Sequence, residues 1–262
     1  MYRYEYVDCI SEALMQRIFS GEFTGDGLIT IYGADAHHLA RVLRMKPGEE
    51  IAVSDPSGLD RICRITSVSG ECVTAEVIST EYNKAEPKYK AILYQGMPKG
   101  DKTDVIVQKA VELGVYSVVF GVTERSVARP DASSLAKKTE RLCKISESAA
   151  AQSGRGRIPA VTAASGFAEM LNEASRADVA LFCYEGGGDN IADILSGIDD
   201  SVRGKDDFTV AIVIGPEGGF SQKEADAARE AGIRFCSLGS RILRTETAGS
   251  HVLSCVAYEF DN

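Results

Sequence analysis

Residues 212–230 read IVIGPEGGFSQKEADAARE: an apolar run, a glycine-rich turn, then a stretch with helical spacing. Ser221 and Glu224 fit the S-x-x-E capping box, which satisfies the first orphan N–H groups of the helix they start. A strand passing through glycines into a helix is the repeating unit of a parallel α/β sheet. Such turns often hold phosphate, yet this one carries an acid, Glu217. It is neither the G-x-G-x-x-G dinucleotide fingerprint nor a P-loop, which needs Lys-Ser or Lys-Thr after its last glycine. A phosphate would also have to displace the capping box. The turn suits a neutral or cationic ligand that approaches the backbone closely, with Gly215, Gly218 and Gly219 removing side-chain bulk. Taken by itself it fits a tight βα turn without a ligand equally well.

The same alternation extends on both sides. AILYQG, SVVFGV, VALFCY, FTVAIVIG and IRFCSLG read as strands. Helices are expected over Asp101–Gly114, where Ile106, Ala110 and Leu113 share one face, over Ser133–Gln152, and near 190–195 and 221–231. A last helix begins near Thr245 and places Val252, Leu253, Val256, Ala257 and Phe260 on one side. The loop before it, LGSRILRTETA (238–248), follows a strand end at Leu238–Gly239 and carries Arg241 and Arg244. Ligands in open α/β sheets sit beyond the carboxyl ends of strands, where both GPEGGF and LGSRILRTETA would lie.

Upstream the pattern differs. Ile51 and Val53 alternate with Ala52 and Ser54, and Val73, Ala75 and Val77 with Thr74 and Glu76. Turns at Asp55–Gly58 and Ser69–Gly70 separate these short strands. A short helix capped by Asp35 precedes them, ending before Pro47–Gly48. NKAEPKYK, near residues 83–90, is a charged, proline-bearing linker. Two domains are expected, 1–82 and 90–262.

At 262 residues the chain can bury a sizeable core. No apolar run reaches membrane-spanning length, and the opening MYRYEYVDCI has no apolar segment of a secretory signal. Seven cysteines without a CxxC pair argue against a disulfide framework or a zinc site and for a reducing cytoplasm. The net charge of −9 disfavours a polyanion on average. Yet Arg125–Arg157 holds eight bases against three acids, and HHLARVLRMK (37–46) has three bases and no acid. Those segments could face nucleic acid or simply be solvated helix faces.

GPEGGFS, LGSRILRTETA, KGDKTDVIVQKAVELGV (99–115), TERSV (123–127) and AAAQSGRGRIP (149–159), in this order along the chain apart from the first two, resemble the ribosomal RNA small subunit methyltransferase E family, of the SPOUT superfamily. The resemblance extends to HHLARVLRMKPGEEI in the first domain. It implies an α/β fold: a SPOUT-type parallel sheet with a C-terminal trefoil knot, preceded by a small PUA-like β-barrel. It also implies a cytoplasmic homodimer that transfers a methyl group from S-adenosyl-L-methionine to N3 of a uridine in 16S rRNA of the small ribosomal subunit, with no metal and no membrane.

S-adenosylmethionine carries a sulfonium cation and no phosphate, so an acid in the turn is tolerable. The resemblance places the cofactor against Tyr184, Glu185, Ile214, Gly215, Pro216, Glu217, Gly218, Gly219 and Phe220. It adds Leu238, Gly239, Ile242, Leu243, Arg244, Thr245, Thr247 and Ala248. Methylation at N3 needs the proton removed and the nitrogen aligned with the methyl group. Arg244 and Arg155 are candidate cations for the developing anion and Glu246 the nearest possible base. Each could instead serve only its loop or helix. Lys99, Arg125, Arg129, Arg155 and Arg157 are expected to face RNA from the second domain, and Arg41 and Arg44 from the first. One departure from the family's pattern is Ala151, where an acid often precedes the glutamine here numbered Gln152. His37 and His38 are given no metal role. Two other readings stand beside the enzyme. One is an inactive RNA-binding assembly factor, which has no need of intact GPEGG and ILRTETA loops. The other is a nucleotide-binding flavodoxin-like module, which Glu217 and the capping box oppose.

Overall fold

The computed structural model describes residues 15–19, 22–23, 27–55 and 58–261. The opening MYRYEYVDCI and part of the 55–58 turn lie outside these residues. Contacts divide the chain into two units. The first runs up to Glu86 and adds Ala150–Ile158; the second comprises Pro87–Ala149 and Pro159–Asn262.

The first unit is a six-stranded sheet in the order β1-β4-β5-β6-β3-β2. Its strands are β1 (Gln16–Ile18), β2 (Glu22–Phe23), β3 (Leu28–Tyr32), β4 (Glu50–Ser54), β5 (Leu59–Val68) and β6 (Cys72–Tyr82). Pairing is antiparallel except between β1 and β4. Ile29, Ile31, Ile51, Ile65, Val73 and Ala75 form its core, with Leu39 from the helical turn 38–42 that follows α1 (Gly33–His37). The alternation expected in β4 fails, for Ala52 and Ser54 are buried like Ile51 and Val53, and Ser54 is only 3 % exposed. Its hydroxyl donates to Asp60 at 2.6 Å, and Arg17 also bonds both groups, so a polar cluster covers that face.

Segment 150–158 joins this unit by side-chain chemistry that no periodicity announces. Asn83 Nδ2 donates to Asp60 at 2.7 Å and to the Gly154 carbonyl at 3.0 Å. Arg155 forks onto Glu86, Nε to Oε1 at 2.8 Å and Nη2 to Oε2 at 2.9 Å. The expected boundary at the 83–90 linker is met by the Glu86/Pro87 division, but the arginine-bearing loop belongs with the first unit.

The second unit is a seven-stranded sheet, parallel throughout, in the order β11-β13-β10-β12-β7-β8-β9. It contains β7 (Tyr89–Gly96), α2 (Lys102–Glu112), β8 (Ser117–Gly121), α3 (Ala132–Gln152), β9 (Ala160–Ala163), α4 (Phe167–Ala174), β10 (Val179–Cys183) and β11 (Asp189–Asn190). Then come α5 (Ile191–Ser196), α6 (Asp200–Arg203), β12 (Phe208–Ile214), α7 (Gln222–Glu230), β13 (Arg234–Ser237) and α8 (Thr245–Phe260). β12 lies near the middle and is buried at every position but Thr209, the pattern of a strand covered on both faces. One core cluster gathers Phe182, Phe220, Met170, Val213 and Ala225; the Phe182 and Phe220 rings sit 4.3 Å apart. Gly114 closes α2 at φ +83°, as its place after the helix requires. No described helix is long and apolar enough to cross a membrane.

Candidate functional site

At the carboxyl edge of the second sheet lies a cavity of about 490 Å³. Three strand ends supply its walls: β10 through Tyr184 and Glu185, β12 through 214–220, and β13 through 237–245. Its size suits one nucleoside-scale ligand. Of the cofactor residues expected from sequence, all but Gly218 and Thr247 line it. The flanking helix α7 starts with the complete capping box. Glu224 N–H donates to Ser221 Oγ at 3.3 Å, and Ser221 N–H donates to Glu224 Oε2 at 2.9 Å. The capping box thus engages the Ser221 and Glu224 N–H groups, whereas the start of α8 at Arg244–Thr245, in the cavity wall, has no side-chain cap.

The two loops are joined beneath the cavity. Gln95, fully buried at the end of β7, donates from Nε2 to Thr245 Oγ1 at 2.8 Å and to the Gly215 carbonyl at 3.3 Å. Thr245 Oγ1 in turn donates to the same carbonyl at 2.6 Å. Pro216 packs on Gly96 so closely that a Cβ there would meet its Cδ at 2.6 Å.

Glu217 has a structural answer. Its carboxylate accepts from the Lys99 N–H at 3.1 and 3.3 Å and pairs with Lys102 Nζ at 2.9 Å. Burial would raise its pKa, but the Lys102 bond and the backbone N–H groups outweigh that and hold it below the ordinary glutamate value. Lys102 also reaches Glu246 Oε2 at 3.2 Å, and these carboxylates, Glu217 first, push the ammonium's pKa upward. The acid in the turn is therefore already neutralised, not left bare for a cation. Glu246, the expected base, faces this ammonium and is not in the cavity wall.

Gly218 departs from expectation. A Cβ there would meet Arg125 Cβ at 3.1 Å, outside the cavity, while one on Gly219 would meet the Glu185 carboxylate at 2.3 Å. Ile242 was expected to cover a ligand; its side chain is 95 % exposed. Arg244 lines the cavity and its carbonyl accepts from the Thr247 and Ala248 N–H groups.

Arg155 is the clear correction. It is 2 % exposed, its fork is closed on Glu86, and Gly156 N–H donates to the same carboxylate at 2.9 Å. It does not line the cavity, and no catalytic role for it is carried forward. Arg157 in the same loop is half-buried. Arg125 donates to the Gly218 carbonyl at 3.1 Å, and Arg129 to the Glu124 carbonyl at 2.7 Å. Both are exposed beside the glycine turn, as is Lys99. In the first unit Arg41 and Arg44 are exposed, and Arg44 adopts φ +55°, uncommon for a side-chain-bearing residue. Sequence reasoning missed Lys102, Cys183, Cys236 and Ser237 as lining residues, while Ser240 and Arg241 fall inside the expected 238–243 stretch. Cys183 and Cys236 are register partners on β10 and β13, which no one-dimensional spacing reveals. Among the described residues no cluster could hold a metal ion.

Comparison with known proteins identifies the family. An RNA methyltransferase domain family matches residues 85–257, and an RNA methyltransferase PUA domain family matches 31–78. Ribosomal RNA small subunit methyltransferase E of Bacillus subtilis is 34 % identical over 88 % of this chain and 90 % of its own. That of Aquifex aeolicus is 31 % identical over 92 % and 98 %. The crystal structure of a ribosomal RNA small subunit methyltransferase E from Neisseria gonorrhoeae, bound to S-adenosyl methionine, superposes with a TM-score of 0.76. It is 28 % identical, covering 93 % of this chain and 97 % of that one.

Proposed function

We infer that this chain, which belongs to the ribosomal RNA small subunit methyltransferase E family, is an S-adenosylmethionine-dependent enzyme that methylates 16S rRNA. The finer reading is that the acceptor is N3 of a uridine presented by the small ribosomal subunit. The observation that carries it is the cavity itself. It is walled by two loops from separate strand ends, and the chain that holds it matches in fold a relative bound to the methyl donor.

The donor supplies an electrophilic methyl group on a sulfonium. The chain's part is to bind, orient and dry the site. The glycines at 215 and 219 let backbone groups approach, and Leu238 and Leu243 offer apolar cover. Holding two reactants in line lowers the barrier by converting a bimolecular step to one within a complex. Arg244, whose place at the cavity wall supports this reading, would offset the charge that an acceptor oxygen gains as N3 loses its proton. Exposed Lys99, Arg125 and Arg129 beside the glycine turn, with Arg157, Arg41 and Arg44, support docking of the RNA backbone. The two-domain division, a trefoil knot in the last segments, a homodimer and a cytoplasmic setting complete the proposal. Val105, Val127 and Tyr258, left exposed on the second unit, support a second copy as partner.

The test is to mix the protein with labelled donor and small subunits from cells lacking the enzyme, then map the label. Transfer to one uridine at N3 is expected. Donor binding without transfer would instead favour an inactive assembly factor.

A further inference from the structure

We propose that Lys102 is the positioning residue that fixes the spacing of the two cavity loops, one ammonium holding a carboxylate from each. This rests on reading the cavity as the methyl-donor site. Three segments distant in sequence meet at this nitrogen. Lys102 stands in the first turn of α2, Glu217 in the glycine turn and Glu246 in the first turn of α8. The Glu217 carboxylate also grips the backbone of Lys99, so the loop leading into α2 is held by the same group. Among the described residues neither carboxylate has another cation partner. Glu185, Arg241 and Arg244 line the same cavity but are exposed.

A lysine in the first turn of a helix opposes the helix dipole, so its own helix gives no reason for it. What it gains is the pair of acids, and partly exposed pairs of this kind add little to stability. Its consequence is geometric. Without the ammonium, two carboxylates face one gap with no counter-charge, and like charges at that range push the loops apart.

Titration calorimetry with S-adenosylmethionine on the full chain, together with kcat and KM on small subunits, tests this. Lys102→Met is expected to weaken donor binding about tenfold. It should also lower kcat at saturating donor, because misplaced loops misalign the methyl group. Lys102→Arg should restore affinity to within about threefold, since a guanidinium forks onto two carboxylates. The decisive variant is Lys102→Met with Glu246→Gln, which removes the repulsion and should recover much of the loss. If Lys102→Met binds like the wild type, or the double variant binds no better than Lys102→Met, the proposal is overturned. Absence of donor binding by the wild-type protein would sink the cavity reading as well. Should Lys102→Met fail to fold, wild-type affinity against pH decides. Glu217 is depressed, so its contribution is present above the ordinary glutamate value of 4.5 and lost as pH falls through the lower folded value. Affinity that stays flat through that range would overturn the proposal too.

Discussion

The two loops that wall the cavity are built on opposite principles. Residues 215–220 are anchored from every side: Phe220 is 1 % exposed in the aromatic core, Gly219 N–H closes the turn on the Pro216 carbonyl at 2.9 Å, and Glu217 is tied to Lys102. Residues 239–244 are exposed except Leu243, and Ile242 has almost its whole side chain in water. The first loop is a finished wall, folded by the core beneath it. The second is a wall whose apolar face has nothing to cover until something enters the cavity or docks against it. Packing is thus divided: one loop is held by the core, while the other has little of the chain packed against it.

Breaking the first loop should have the largest effect. Phe220→Ala removes a ring that touches Phe182 and Phe167 and should cost about 3–5 kcal/mol of unfolding free energy. Denaturant titration measures it. A loss below about 1 kcal/mol would mean that the loop is not held by the core and that the contrast is wrong.

A middle-sized effect separates two adjacent glycines. Gly219 has φ +65°, so Gly219→Val should cost about 1–2 kcal/mol. Its Cβ also displaces the Glu185 carboxylate at the cavity wall, so donor affinity should fall with it. Gly218→Val points its side chain at Arg125 and should leave donor affinity close to that of wild type. Equal losses of affinity in the two variants, by calorimetry, would erase the distinction.

This contrast also marks how far sequence could reach. The strand, turn and capping box around Glu217 are local, because the residues that satisfy one another lie within a few positions, as Ser221 and Glu224 do. The parallel sheet followed from alternating elements for the same reason. Long-range chemistry was hidden. Arg155 read as a free cation in SGRGR because its partner Glu86 lies 69 residues away. Glu217 read as an unpaired acid that a neutral or cationic ligand would tolerate, because its partner Lys102 lies more than a hundred positions upstream. One signal was available: a lysine in the first turn of a helix is unfavourable unless an acid waits nearby. Ile242 reads as apolar in sequence, and only the coordinates reveal that nothing among the described residues covers it.

The smallest effect on stability should come from the second loop, and its value lies in being small. Ile242→Ala removes a side chain that buries almost nothing, so unfolding free energy should stay within about 0.5 kcal/mol of wild type. If donor or partner covers that side chain, the lost burial is a share of the roughly 1.5–3 kcal/mol an isoleucine contributes when buried. Donor affinity should then weaken several-fold while the melting temperature of the free protein is unmoved. Chain concentration provides the control: a loss that vanishes in dilute protein places Ile242 against a second copy, whereas a loss independent of dilution places it over the ligand. If the substitution instead destabilises the free protein as much as it weakens binding, the second loop is packed after all, and the two walls are built alike.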